Sequence, residues 1–574
     1  MDEFRVVRNR RIYGRRAGRT AACYGTLSSV ITALIIFLIT YLFIGLRQIP
    51  RVHIDRPAGA LVGAVLMIVT GVLTLDQAFA AIDLHTLLLL LGMMIITVYL
   101  RIAGFFELMA DRILSLSKTP FQLLVFVTVS SGILSALFVN DTICLLYAPI
   151  ILAMTAQLSV NPVPYLLALA TASNIGGAMT VTGNPQNMLI GIYSNIPYLS
   201  FFAALVPVTV IGFSVSIMVI RLAYRKAMTD EPFGRRPAMP RYEMNKPLLM
   251  KSLVVCAGVL AAFSLGYPYS LTAAAGAVSL MLIGGVRTER VLEGVDWTLL
   301  LFFSGLFVVM HGVEVSGLAG TVIGSAGGLA AMSPAGRIAG LSVVSAVLSN
   351  VVSNVPAVML LKPFVESLGG ERVAWLALAM SSTLAGNFTL IGSVANLIVV
   401  QQARKQVEIG FLEYFRVGAL ITIITIAAGI LVLVVEVKIA RGAEPALSAG
   451  AAKEMTITVT PADPHRMART YRVALLCDSE EKQRQGLQGF RRLAADEAAV
   501  FPYERPAAVT FWMGSVPYPL DIIFVASDGT VSRVYRDCQP RQTDVYPSGS
   551  AVRWVIETAA GSGIKEGDRI SISR

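Results

Sequence analysis

The sequence predicts a polytopic α-helical membrane protein built from two inverted repeats with re-entrant hairpins and broken helices, followed by a small β-rich soluble domain. Three observations carry that prediction. Hydrophobic residues make up 55% of the chain and charged ones 14%, with a mean hydropathy of +0.68. Apolar runs of roughly 18 residues or more, long enough for a bilayer core, follow one another to about Val437. The stretch up to residue 440 is written twice, and after Arg441 the composition becomes that of an ordinary soluble domain.

The repeat can be read position by position. Gly63-Ala64-Val65 recurs as Gly276-Ala277-Val278, and the same shift of 213 relates Asp83 to Asp296, Gly92 to Gly305 and Gly104 to Gly317. LSALFVNDTICLLYAP (134–149) pairs with LSNVVSNVPAVMLLKP (348–363) at a shift of 214, which sets Asn140 on Asn354. SNIGGAMTVTGNPQN (173–187) pairs with STLAGNFTLIGSVAN (382–396) at a shift of 209, aligning Thr180 with Thr389, Gly183 with Gly392 and Asn187 with Asn396. A unit this long exceeds a solenoid repeat and suits the repeated halves of a secondary transporter.

The elements follow in order. A basic tail (1–21) precedes a first half (22–223) with crossings expected at about 22–46, 58–75, 84–104 and 199–223, a hairpin at 119–160 and a broken segment at 163–196. The second half (247–438) offers 247–265, 269–286, 296–317 and 411–438, a hairpin at 333–369 and a broken segment at 372–402. The hairpins are read as re-entrant because polar residues and Pro356 at their mid-points are tolerable at membrane depth only where backbone lines a protein cavity. An odd number of crossings per half turns the second copy upside down. A linker (441–454) leads to residues 455–574, where TITVT, YRVALL, AAVTFWM, LDIIFVA and TVSRVY read as short strands, with one or two helices among them. Asp83 and Asp296 stand just before their spans and are read as helix caps.

Charge and composition exclude several classes. The net charge of +11 comes largely from Arg5, Arg8, Arg10, Arg11, Arg15, Arg16 and Arg19 and from the loop between Arg221 and Lys251. These arginines flank membrane spans without interleaved aromatics, which orients spans and gives no nucleic-acid surface. The basic loops at Arg47–Arg56, Arg101–Lys118, Arg221–Lys251, Arg287–Arg290 and Arg404–Lys405 fall on one face and the N-terminal cluster on the other; weighting the loops places the C-terminal domain outside the cell's inner membrane. Five scattered cysteines and four histidines form no metal pattern, and no phosphate loop occurs, so no cofactor is expected and transport energy must come from a gradient, with Na⁺ or H⁺ as coupling ion.

The chemistry concentrates at the repeated polar motifs. In TVTGNPQNMLIG, Gly183 permits a positive φ, Asn184 can cap, and Pro185 suits a first helical position, so one half-helix stops and another starts in mid-membrane. Gly392-Ser393 repeats the arrangement. A half-helix start suits an anion, and the unwound carbonyls before it suit Na⁺. The hairpin turns add Asn140-Asp141-Thr142 and Ser353-Asn354. Asparagine offers both a carbonyl oxygen and an NH₂, and a carboxylate at membrane depth is a candidate ion ligand or proton carrier; a helix cap is the plainer role for Asp141. The substrate and ion site is therefore expected among Asn140, Asp141, Thr142, Asn174, Thr180, Gly183, Asn184, Asn187, Ser353, Asn354, Thr389, Gly392, Ser393 and Asn396, with Na⁺ near Asn140, Gly183, Asn354 and Gly392. His311 and Glu314, late in their span, are read as interfacial.

At these motifs residues 25–440 resemble the ion transporter superfamily that contains the citrate-transporter-like permeases, the divalent anion:sodium symporters, the NhaD-type Na⁺/H⁺ antiporters and the ArsB arsenite permeases. The symporters' Ser-Asn-Thr turns stand here as Val139-Asn140-Asp141 and Ser353-Asn354-Val355, so FVNDTICLLYAP is closer to the ArsB-like and NhaD-like branch. The resemblance implies a homodimer with elevator-like movement of the hairpins and broken helices. The C-terminal domain resembles the domain of unknown function 192 family at GLQGFRRL (486–493), FWMGSVPYPLDIIF (511–524) and GIKEGDRI (563–570), with Gly514-Ser515-Val516 replacing the family's Lys-Asn-Thr. Asp521 and Glu557 there are read as structural or binding residues before catalytic ones.

The expected function is a secondary active permease for a small inorganic or organic anion, not an enzyme. The alternatives are a Na⁺/H⁺ antiporter using Asp141 and, from another class, a membrane anchor for an exterior enzyme or sensor. An anchor needs no matched polar breaks in both halves.

Overall fold

A computed structural model describes residues 18–45, 55–233, 243–317, 332–367, 372–447 and, from 455 onward, all but 480–481, 484–485, 488–489, 491, 514–515, 517, 541–544 and 574. Most of the N-terminal arginine cluster, the end of the linker and the Gly514-Ser515 pair lie outside the described residues. The chain divides into two compact units, Met1–Val365 with Arg372–Val434, and Glu366–Glu371 with Val435–Arg574.

The first repeat comprises α1 (Gly18–Gly45), α2 (Arg56–Val69), α3 (Leu75–Ala81), α4 (Leu84–Ile102), α5 (Phe105–Leu116), the hairpin arms α6 (Pro120–Leu137) and α7 (Asn140–Leu158), the half-helices α8 (Val163–Gly177) and α9 (Pro185–Ser194), and α10 (Tyr198–Ala223). The second comprises α11 (Lys246–Ser264), α12 (Tyr269–Ile283), α13 (Thr288–Leu292), α14 (Trp297–Val315), hairpin arms α15 (Pro334–Val352) and α16 (Asn354–Ser367), half-helices α17 (Arg372–Ala385) and α18 (Val394–Ala403), and α19 (Phe411–Leu447). Eight of these helices are long and apolar enough to cross a membrane. Helix starts follow local chemistry. Thr119 and Ser333, repeat partners, each precede a proline at the first helical position and accept from a backbone N–H one turn on. Asp83 and Asp296 cap α4 and α14 in the same way, through the N–H groups of Thr86 and Leu299. The short helices α3, α5 and α13 carry too few apolar residues to register as spans, and the sequence pattern passes over them.

The inversion is visible in paired contacts. A side chain at Gly92 on α4 would strike the backbone of Ala273 on α12, and one at Gly305 on α14 would strike the backbone of Ala60 on α2. The shift of 213 carries Gly92 to Gly305 and Ala60 to Ala273, so this is one contact made twice. Arg101, at the end of α4, lies against Gly294 just before α14, while Glu314, at the end of α14, shares a cavity with Ala81 just before α4. The two helices therefore run antiparallel, as the sequence predicts. Helices this close gain dispersion contacts that lipid tails do not supply.

The C-terminal unit is a seven-stranded sheet in the order β6-β5-β8-β3-β2-β1-β9. Its strands are β1 (Thr456–Thr460), β2 (Arg469–Leu476), β3 (Glu497–Ala507), β5 (Leu520–Val525), β6 (Val531–Cys538), β8 (Val552–Ala559) and β9 (Arg569–Ser573), beside a two-stranded ribbon of β4 (Thr510–Trp512) and β7 (Val545–Pro547). Apolar clusters cover both faces, one around Phe501, Ile522 and Val555 and one around Val500, Ile523 and Ile556. Among the described residues this unit forms no helix of the expected kind beyond a turn at Lys482-Gln483. The Asp521 carboxylate is saturated: it accepts from the N–H groups of Asp537, Gly561 and Ser562 and from the Ser562 hydroxyl, at 2.7–3.1 Å. That is a structural role, one of the two, structural or binding, expected from the sequence.

Two predictions follow from this packing. Gly92→Ala and Gly305→Ala should each destabilise by about 1–3 kcal/mol, because backbone stands where the new methyl must go, and Gly258→Ala, which faces open space, should not; detergent thermal melts check this. In the C-terminal unit, burial pushes the Glu557 carboxyl from 4.5 up to about 8. An acid whose folded pKa exceeds its unfolded one is protonated in the native state and ionised in the unfolded chain between those values. Its contribution is therefore complete below about pH 4.5 and declines toward pH 8, by at most about 1.4 kcal/mol per pH unit. Glu557→Gln should remove that decline in urea melts of residues 455–574 followed by Trp fluorescence, and an unchanged slope would assign the pH dependence elsewhere.

Candidate functional site

Each hairpin reverses at a buried asparagine. α6 ends at Leu137 and α7 begins at Asn140; α15 ends at Val352, Ser353 takes a positive φ of 74°, and α16 begins at Asn354. A positive φ on a residue other than glycine is strained, and Ser353 is held there by the reversal between two helix ends. The Oδ1 atoms of Asn140 and Asn354 are both buried without a hydrogen-bond partner. The two residues are repeat partners, so the same acceptor is left open twice. A buried carbonyl oxygen without a donor costs about 1–3 kcal/mol and is the type of ligand a small hard cation takes.

The broken helices are held by a second pair of asparagines. Asn184 Oδ1 accepts from the Asn187 N–H at 2.8 Å and caps α9. Asn187 Nδ2 donates to the carbonyls of Gly177, Ala178 and Thr180 at 3.0–3.2 Å, and Asn396 Nδ2 donates to those of Gly386 and Thr389 at 2.7 and 3.1 Å. Carbonyls exposed by a helix break at membrane depth must find donors, and these amides supply them. Two expectations change here. Neither Gly183 nor Gly392 has a positive φ; Gly183 is needed because a side chain would overlap the backbone of Gly177, and Gly392 because it lies against Asn350 and Gly386. Ser393 makes no cap: its hydroxyl turns to Asn174 Oδ1 at 3.1 Å, and the Asp141 carboxylate lies near the Ala395 N–H.

Between the breaks the repeats are tied together. Asn140 Nδ2 donates to Asn174 Oδ1 at 2.9 Å, and Asn174 Nδ2 donates to Asn387 Oδ1 and Asn396 Oδ1 at 2.8 and 3.1 Å. On the other side, Asn184 and Gln186 donate to the Thr383 hydroxyl at 3.2 Å, which reaches Asn187 Oδ1. The shift of 209 sets Asn174 on Thr383, so each repeat extends the same position toward the other's break asparagine. Thr180 bonds the carbonyl of Ala136 and Thr389 bonds Asn350, again a matched pair. Thr383, Asn387, Gln186 and Asn350 were not singled out from sequence, although Thr383 stands opposite Asn174 in the repeat register.

Asp141 is 9% exposed and has Val355 as its repeat partner, so the site holds one carboxylate without a counterpart. With Thr142, Thr97, Arg101 and Asp296 it lines a cavity of about 30 Å³, room for one water. No group of three or more His, Cys, Asp or Glu gathers among the described residues. Of the expected site residues, Asn140, Asn174, Ser393 and Asn396 meet in one buried group and Asn184 and Asn187 in another around Thr383, each joining the two repeats; Thr142 lies with Asp141 at the small cavity, and Asn354 and Ser353 join neither group.

Comparison with known proteins gives concordant findings. Residues 33–385 match the citrate transporter family, and residues 462–572 match the domain of unknown function 192 family, described as uncharacterized ACR. The silicon efflux transporter LSI3 of Oryza sativa subsp. japonica is 32% identical, over 71% of this chain and 98% of that protein. An uncharacterized transporter of Mycobacterium bovis is 31% identical, over 69% and 96%. The putative transporter arsB of Dictyostelium discoideum is 25% identical, over 70% and 91%.

The two asparagine pairs should separate experimentally. Asn187→Ala and Asn396→Ala strip donors from two or three buried carbonyls and should lower thermal stability by several kcal/mol. Asn140→Ala and Asn354→Ala should cost much less stability while removing any Na⁺-dependent rise in melting temperature. Equal melting losses in all four would overturn the distinction.

Proposed function

This chain belongs to the citrate transporter family, and on that premise we infer that it is a secondary active permease for a small anion, coupled to Na⁺ or H⁺. The observation that carries the reading is the repeat-related pair of open Oδ1 acceptors on Asn140 and Asn354. A cation held by either oxygen would bring its charge to the start of that arm, α7 or α16, whose N-terminal N–H groups already favour an anion. Cation and anion then stabilise one another in a site from which either alone is disfavoured, which is the physical basis of symport. One relative is a silicon efflux transporter, which points toward small inorganic oxyacids among the solutes to be tested.

Asp141 supports H⁺ as the coupling ion, since it is the carboxylate at the tip and faces the start of α18. The same residue supports the second reading, a Na⁺/H⁺ antiporter. The membrane-anchor alternative leaves the amide network spanning both repeats without a purpose. A homodimer in the inner membrane with the C-terminal domain outside completes the proposal. The orientation draws support from two of the basic loops, 101–118 and 221–251, which meet: Phe233 N–H donates to the Lys118 carbonyl and Asn245 N–H to that of Ala103.

Asp141→Asn keeps a capping side chain and removes the charge. In proteoliposomes screened with arsenite, silicic acid, sulfate and citrate, the variant should lose gradient-driven accumulation and retain exchange at equal gradients. Accumulation at the parental level would reduce Asp141 to a cap and shift coupling to Na⁺ at the asparagines. Exchange of Na⁺ for H⁺ with none of the four solutes moved would establish the antiporter instead.

A further inference from the structure

Glu557 is a buried carboxyl group that the packing of the C-terminal unit does not use. It stands on β8 in register with Ala499 of β3 and Ile522 of β5, and it is 3% exposed. Alternation along β8 puts it on the face of Val555, in the apolar layer that also holds Phe501 and Ile522, and Ala499 offers only a methyl beside it. Burial is the one influence on its carboxyl: no hydrogen bond and no opposite charge offsets it. Asp521, one strand away, shows a structural carboxylate in the same sheet, with four donors on its two oxygens. Glu557 has none. Nor are its oxygens sealed in: the Thr558 hydroxyl next to it is fully enclosed without a partner, whereas neither Glu557 oxygen is. A carboxyl that is bare, enclosed on most sides and still reachable suits a donor supplied from outside the chain.

The surroundings narrow the class of donor. A metal ion is poorly served, because among the described residues no group of three or more His, Cys, Asp or Glu gathers. Burial also pushes the thiols of Cys477 and Cys538 up to about 12 and about 11, so both stay protonated, and a metal needs the thiolate. An anion would meet a carboxyl group of its own sign once that group ionises. What this face does offer is aromatic. Phe501, Phe511, Phe524, Tyr535 and Tyr546 form an unbroken chain of edge-to-face rings with centroids 5.0–6.0 Å apart. Phe501 and Phe524 both pair with Val555, the next residue on the face of Glu557. Phe511, Tyr535, Tyr546 and Tyr503 are only partly buried, which leaves ring surface for a ligand. A carboxylate beside aromatic rings in an apolar layer is the setting in which an organic cation is held, its charge on the oxygens and its body on the rings.

We propose that the C-terminal unit binds a small organic cation, an amidinium, guanidinium or primary ammonium group on an apolar body, with Glu557 as its counter-charge. The site stands apart from the permease reading and needs no transported solute. With its carboxyl raised to about 8, Glu557 is mostly protonated at pH 7 when the site is empty, and a bound cation draws it into the charged form. Binding at pH 7 therefore releases a proton. Cys477, Tyr503 and Cys538 all feel the charge of Glu557, and burial raises all three, Tyr503 from an ordinary value of 10, so they stay neutral between pH 7 and 9. The other charged groups near this face are already engaged, Glu497 with Arg472 at 2.6 Å and Asp478 with Lys482 at 2.7 Å, and the phenols of Tyr518, Tyr535 and Tyr546 complete the set among the described residues. Affinity for a permanently charged ligand should rise about tenfold from pH 7 to pH 9, which is the ratio of ionised Glu557 at the two.

Titration calorimetry of benzamidine into the full-length protein in detergent tests the site. Benzamidine is charged throughout this range, and it should bind about tenfold more tightly at pH 9 than at pH 7 and release about one proton at pH 7, read from buffers of different ionisation enthalpy. Glu557→Gln keeps the shape of the neutral acid; it should weaken binding at pH 9 by about tenfold or more and abolish the pH dependence. Benzoate, the same ring with the opposite charge, should not bind. Absence of benzamidine binding to the parent at pH 9, equal binding by parent and Glu557→Gln, or equal affinity at the two pH values would each overturn the site. The pH dependence and the proton release are read on the parent protein, so the test stands even if the variant does not fold.

Discussion

Everything at the centre of this molecule depends on interrupting helices where no water is available to repair them. An intact helix satisfies its own backbone and offers a ligand nothing. A broken one exposes carbonyls and N–H groups at once, and each open group at that depth costs more than a typical hydrogen bond contributes. Asn187 and Asn396 resolve the conflict by covering the carbonyl side of each break with a side-chain amide. The N–H side is left to a cap at Asn184 in one repeat, whereas in the other Ser393 turns its hydroxyl away to Asn174.

That difference marks where the two halves have diverged. The frame is the same twice over, down to which backbone atom each glycine touches, because packing at van der Waals distance tolerates no drift. The chemistry is not the same twice. Asp141 faces Val355 in the register, Arg101 faces Glu314, and Asn184 faces Ser393. A symmetric frame gives two equivalent ends; the charged side chains make those ends different.

Much of this was legible in the sequence, and for identifiable reasons. Spans, hairpins and breaks announce themselves because lipid forces long apolar runs, so polar clusters such as TVTGNPQN stand out against them, and a second copy fixes the register. The site asparagines were found for that reason. Their division of labour was not, since a covering amide and an open ligand have the same side chain and differ only in what lies within 3 Å. Gly183 and Gly392 were recognised as necessary on the wrong ground, conformational freedom, when the requirement is close approach to another strand of backbone. In the C-terminal unit β3, β7, β8 and β9 were not read as strands, whereas β5, every residue of which is buried, was found from its β-branched run.

The doubled crossing of Gly92 on Ala273 and Gly305 on Ala60 has a further meaning for how such a chain comes to exist. Neither half completes its own frame: the groove in one repeat is filled by a helix of the other, entering from the opposite direction. A single-repeat ancestor could build this frame only as a pair of identical chains inserted with opposite orientations in one membrane. Fusion into one polypeptide removes that dual insertion, and from then on the two copies are free to acquire different charges at their two ends.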